Sequence, residues 1–200
     1  MVEIIRPSLP TSAAGYSDGV PLETLDSERL TLRPWSVDDA AAALEIFGVA
    51  EVARWLSPAM DKVHDEQGMR LVLQGWVAEQ ERLVPPQGRW AIVLTETGEV
   101  IGGAGLLFLP PGDEDLELAW QLRPSAWGHG YATEAGRRVA RAAFDFPGVD
   151  EVFAVVRNNN ERGVATVRRV GMEWVGETDK YYDLRLQVYR LRQSDLEHDG

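Results

Sequence analysis

The chain has 200 residues, 44% of them apolar and 26% charged, enough for one full-sized domain with its own core and short for two. It contains no cysteine, which excludes a disulfide framework, a thiolate nucleophile and a Cys-based metal site. A formal charge of -12 argues against nucleic acid as a partner, because phosphates demand a basic face; it suits a cationic substrate such as an amine, and equally suits plain solubility.

Residues 1–22 hold three Pro, two Gly and three Ser without periodicity and read as a mobile tail. This segment lacks the basic-then-apolar order of a signal peptide, and no run of about 18 apolar residues follows anywhere, so no membrane partner and a cytoplasmic location are expected. The domain is placed at 23–194, with a C-terminal tail at 195–200. Arg29-Leu30-Thr31-Leu32-Arg33 alternates polar and apolar and stops at Pro34, the pattern of a strand. Ser36 ahead of Asp38 and Asp39 is an N-cap with first-turn acids, so a helix is predicted over Ala40–Phe47. A second helix is predicted over 66–82, with Met69, Leu73, Trp76 and Val77 on one face. Strands at 90–94 and 100–109 flank a turn at 96–99, and Pro110-Pro111-Gly112-Asp113 turns the chain into a strand at 116–122. Helix 131–144 sets Ala132, Ala135, Val139, Ala142, Ala143 and Phe146 at helical spacing. A strand at 152–156, a short helix at 162–170 ending on Gly171, and strands at 172–176 and 184–191 complete the order. No repeat or domain linker is present. The order β-α-α-β-β-β-α-β-α-β-β predicts a mixed α/β domain whose sheet of about seven strands carries helices on both faces. Strand 116–122, helix 131–144 and strand 152–156 should form a parallel βαβ unit.

Chemistry concentrates in the middle of that unit, at Trp127-Gly128-His129-Gly130-Tyr131-Ala132-Thr133-Glu134-Ala135. Two glycines two apart let a ligand approach the backbone, and the free N–H groups of the helix that follows make an anion site. The Gly-x4-Gly-Lys spacing of a Walker loop is absent, and Thr133 stands where the dinucleotide fingerprint needs its third glycine. Spacing alone also fits a plain compact turn.

The stretch Glu117-Leu118-Ala119-Trp120 followed by Trp127–Ala135 resembles motif A of the GNAT acetyltransferases, closest to the ribosomal-protein alanine N-acetyltransferase-like group. Leu25–Pro34 resembles that group's first strand, and Asn160 with Val170-Gly171-Met172 its downstream elements. The resemblance spans roughly residues 22–194. It implies a single GNAT-type domain with a splayed central sheet, and acetyl-CoA as co-substrate. Backbone N–H groups from Gly128 through His129, Gly130, Tyr131 and Ala132 to Thr133 would bind the CoA pyrophosphate. Leu122 and Arg123 would pair by backbone with the pantetheine arm, and Asn160 would hydrogen-bond the pantetheine or adenosine-phosphate arm. The sequence departs from the group at Gly163, where Ser is usual, and no Tyr follows on that helix. This leaves the proton for the departing thiolate to water, or to Tyr181 or Tyr182.

Glu117 is the candidate base, because its place in the strand matches the glutamate this group often uses; a solvated strand glutamate is the bland alternative. Alternation puts Glu117, Ala119 and Gln121 on one face. Among seven tryptophans, Trp35, Trp55 and Trp120 are candidates for walls that suit a cationic amine, or for plain packing. Arg137, Arg138 and Arg141 are candidates for the CoA 3′-phosphate or for solvated positions. His64, His129 and His198 form no metal-ligand spacing, so no metal is expected. The expected activity is direct acetyl transfer to a small amine or a protein N-terminus; the alternative is a CoA-binding sensor or scaffold that has lost catalysis. The apolar content permits a homodimer interface.

Overall fold

Leu30 and Leu32 lose all exposure when β2 (Leu30–Pro34) lays its alternating face on the core, paired antiparallel with β3 (Gly88–Leu94). The computed structural model describes residues 22–112 and 114–197; the segment read as an N-terminal tail lies, Leu22 apart, outside the described residues, as do 198–200. A two-residue strand, β1 (Leu25–Asp26), adds to the outer edge of β2. The sheet therefore has eight strands among the described residues, one more than expected, because two residues are too few to show alternation. β4 (Val100–Phe108) and β5 (Leu116–Leu122) continue the antiparallel half. The other half is built from β6 (Glu151–Arg157), β7 (Glu173–Thr178) and β8 (Leu186–Arg192), in the order β1-β2-β3-β4-β5-β6-β8-β7.

The one parallel pairing, β5 with β6, is registered at a single position, Glu117 opposite Phe153. β5 keeps its β4 partners as far as Leu122 but has no β6 partner beyond Glu117. The sheet opens there, as the resemblance implied.

Side-chain caps set the helix starts. Ser36 and Asp39 form a reciprocal capping box that starts a single 3-10 turn (Val37–Asp39) before α1 (Ala40–Phe47). α2 (Ala50–Leu56) was not anticipated; its N-cap is Val49, which offers no side-chain acceptor. Asp65 caps α3 (Glu66–Gln80) by accepting the Gly68 N–H at 2.7 Å. α1 and α3 cover one face, where Phe47, Met69 and Leu73 pack on Ala91 and Val93. α4 (Tyr131–Phe144) and α5 (Glu161–Val170) cover the other, with Ala135, Val139 and Val167 against Leu116, Leu118 and Leu122. α5 ends at Gly171, φ 106°, where the Met172 N–H reaches back to the Val167 carbonyl at 3.0 Å. Residues 193–197, which include the start of the expected C-terminal tail, form a short helix, α6 (Gln193–Glu197), whose Leu196 packs on the core.

Candidate active site

The loop from β5 to α4 is shaped by two left-handed glycines, Gly128 (φ 83°) and Gly130 (φ 82°). A residue with a Cβ would cost roughly 1–2 kcal/mol in that conformation. Gly130 is also the N-cap of α4 and supplies no side-chain acceptor, so the first-turn N–H groups stay uncapped. A Cβ at Gly128 would meet nothing within 4 Å, and one at Gly130 only Arg29 Nη2 at 3.5 Å. A ligand can therefore lie directly on this backbone. The exposed His129 ring stacks on Tyr131, centroids 5.6 Å apart.

Arg29, just ahead of β2, holds the loop. Its Nη1 donates to the His129 carbonyl at 3.0 Å, and its guanidinium lies 4.8 Å from the Tyr131 ring centroid. Its N–H and Nε both donate to Glu134 (2.7 and 2.8 Å), which also accepts the Ser27 hydroxyl at 2.8 Å. Burial pushes the Glu134 carboxyl up, but these donors together outweigh it and hold the group below its ordinary value. Sequence reading missed Arg29, because nothing local links residues 105 positions apart. A second unforeseen cation, Arg162, stacks 3.9 Å over the Trp127 ring, whose Nε1 donates to the Leu122 carbonyl at 2.8 Å.

Register decides which β5 backbone groups face the opening. The Arg123 N–H donates to Ile101 in β4 at 2.9 Å, and the Leu109 N–H to Asp115 at 2.8 Å. Odd-numbered residues of β5 therefore point their amides at β4, and Leu118, Trp120 and Leu122 point theirs toward β6. This corrects the expectation for Arg123. Its N–H is in the ladder, its carbonyl accepts the Ala126 N–H at 3.0 Å, and its guanidinium pairs with Glu45 and Glu99. Beyond the Glu117–Phe153 pair, the Leu122 N–H and the Trp120 backbone are left facing the gap.

A cavity of about 1020 Å³ runs through this opening. Glu117 lies half-buried in its wall, on the α1–α3 face, and accepts the Tyr182 hydroxyl at 3.2 Å. Burial pushes its carboxyl up to about 7, against the opposing pull of the Tyr182 hydrogen bond and the Arg89 charge. Burial, with the neighbouring Glu117 charge, also raises the Tyr182 phenol above its ordinary value. Tyr182 (φ 57°) and Asp183 (φ 52°) are left-handed without being glycine, a strain of order 1–3 kcal/mol that aims Tyr182 inward. Tyr181 turns the other way, to the buried Asp115 carboxylate.

The remaining candidates separate. Trp35 packs with Phe47 and Trp76 (centroids 6.0 and 5.9 Å) and lines the cavity, as does Trp55 under the Arg54 guanidinium. Trp120 lines the same cavity from the opposite sheet face, where a Cβ on Gly136 of α4 would stand 3.3 Å from it. Asn160 lines the cavity but spends its Oδ1 capping α5, accepting the Gly163 N–H at 3.0 Å. A Cβ at Gly163 would fall 2.7 Å from Asn160 Nδ2, so Ser at this position would require the Asn160 side chain to shift. Arg137 donates to the Val170 and Arg169 carbonyls and Arg138 to that of Asp26, so both act as ties between elements.

The fold thus brings together a glycine loop on an uncapped helix, a split sheet and, in the cavity wall, a carboxyl–phenol pair. The chain belongs to the acetyltransferase (GNAT) domain family, which matches residues 29–173, and it is an acetyltransferase. It is 25% identical over 182 residues to the uncharacterized N-acetyltransferase p20 of Bacillus licheniformis, covering 90% of this chain and 100% of that one. It also resembles the acetyltransferase of Agrobacterium tumefaciens (TM-score 0.68, 27% identity, 91% and 100% of the two chains). Mycobacterium smegmatis RimJ in complex with CoA-disulfide shares the fold (TM-score 0.70, 22% identity, 88% and 90% of the two chains). Among the described residues, no helix is long and apolar enough to cross a membrane, and no group of three or more His, Cys, Asp or Glu could hold a metal.

Proposed function

We propose that the protein transfers the acetyl group of acetyl-CoA to a primary amine by direct attack with both substrates bound, Glu117 serving as base. The observation that carries this reading is the position of Glu117, in the wall of the cavity where β5 and β6 part and hydrogen-bonded by the Tyr182 hydroxyl at 3.2 Å; burial there pushes its carboxyl up to about 7. A base poised near working pH combines an available charged form with adequate driving force.

The amides of 128–133 hold the pyrophosphate, with Arg29 and Arg162 adding positive charge beside it. The Leu122 N–H and the Trp120 backbone pair with the pantetheine arm in the gap. The ammonium of the acceptor gives one proton to Glu117. The neutral amine then attacks the thioester carbonyl, the C–N bond forms, the C–S bond breaks, the thiolate leaves with the electron pair, and the surplus proton on the nitrogen passes to water. Tyr182, protonated because its phenol is raised, supplies the thiolate's proton and recovers one from Glu117 through their hydrogen bond. No cysteine is present to carry the acetyl group. The acceptor is a small amine or a protein N-terminus.

Thiol release from acetyl-CoA in the presence of an amine panel tests this. The rate should rise on adding an amine, and Glu117→Gln should lower kcat by about 10²–10⁴ with the acetyl-CoA dissociation constant nearly unchanged. The wild-type rate should climb with pH through about 7, and the variant should lose that limb. Acetyl-CoA binding without amine-stimulated thiol release would favour a sensor or scaffold.

A further inference from the structure

Three glycines of β4 face different constraints. A Cβ at Gly102 would stand 2.4 Å from the Gln121 carbonyl, and one at Gly103 would stand 3.0 Å from both Phe47 and Trp35. Packing requires both. At Gly105 the nearest atom to a Cβ is the Gly88 carbonyl oxygen, at 3.9 Å, and its φ is not positive. The strand has no bulge there either; the register shift of this pair lies at Ile92/Val93. A glycine inside a strand weakens it and marks close approach by a ligand or another backbone. Gly105 relieves no clash, is half-exposed, and lines the cavity. Its effect is open space.

That space adjoins the proposed base. Gly105 pairs with Ala119, which shares the sheet face of Glu117 two residues away. Over neighbouring Gly103, on the same strand face, stand Trp35 and Phe47, packed with Trp76 at ring-centroid distances of 5.3–6.0 Å. Over the cavity as a whole the charges balance: four glutamates, Glu117 among them, stand against four arginines, and Glu79 accepts Arg89 Nε at 3.0 Å. The walls are therefore flat and apolar with no surplus of anions for a polycation.

We propose that Gly105 sets the acceptor class: a monoamine whose nitrogen is carried by a flat apolar or aromatic body lying over Gly105 and Ala119. This rests on the acetyl-transfer reading above. The test measures thiol release with 2-phenylethylamine, ethylamine and spermidine for the wild type and Gly105→Val. The wild type should prefer 2-phenylethylamine over both others by about ten-fold or more in kcat/KM. Gly105→Val should lose about ten-fold or more on 2-phenylethylamine and much less on ethylamine, while acetyl-CoA affinity holds and its Tm does not fall. Gly105→Ala, whose methyl has 3.9 Å of clearance, should move in the same direction and serves if the valine variant does not fold. Preference for spermidine, or undiminished 2-phenylethylamine turnover in the variants, would overturn the proposal and leave acetyl transfer standing. No thiol release with any amine would overturn both.

Discussion

A glutamate on a strand reads as a solvated charge until its surroundings are known. Its place in the strand marked Glu117 as a candidate, but the cause of its shifted titration was out of reach of sequence. The groups that bury it come from α1–α3 and the β7–β8 turn, and Tyr182 lies 65 residues away. The shift has a consequence for stability. With its carboxyl raised from 4.5 to about 7, the folded protein binds more protons than the unfolded chain between those values. Glu117 therefore subtracts stability as pH rises through that window. Glu117→Gln removes the ionisable group. It should melt later than the wild type at about pH 8, by ~1–3 kcal/mol, and the difference should vanish below about pH 4.5. Urea melts at both pH values check this. An equal gain at both would trace to packing and not to ionisation.

At the scale of elements, boundaries were legible where a local cap or break sets them. Helix 131–144 starts at the glycine loop, strand 116–122 stops at Arg123-Pro124, and α5 stops at Gly171; the two-residue β1, α2 with no side-chain cap, and the terminal α6 were passed over. α5 also shows how one residue can satisfy two readings. Asn160 was expected on the cofactor, and its side chain caps the helix while lining the cavity. Asn160→Ala should cost about 0.5–2 kcal/mol through the lost cap, read as a lower urea midpoint without ligand. An unchanged midpoint would show that the cap contributes nothing and would leave the cavity as the role of Asn160.

For the whole molecule, the proposed function has the glycine loop, the gap and the Arg29–Glu134 tie act together on acetyl-CoA. Acetyl-CoA at about 100 times its dissociation constant should stabilise the protein by about 2.7 kcal/mol. Gly130→Val, which puts a branched side chain on the loop, should abolish most of that shift in a thermal melt. A full shift in this variant would place the ligand elsewhere. Sequence by itself determined the βαβ unit, the glycine loop at its turn, and Glu117 on the face opposite Leu118. Each follows from spacing along a few consecutive residues, where the period of a strand or helix fixes direction. Tertiary structure alone decided that Arg29 grips the loop, that Arg123 is consumed by β4 and α1 while Leu122 faces the gap, and that Trp35 and Trp120 reach one cavity from opposite faces of the sheet. Those outcomes depend on which strand lies beside β5 and where the pairing with β6 stops, and that is set by packing between residues far apart in the chain.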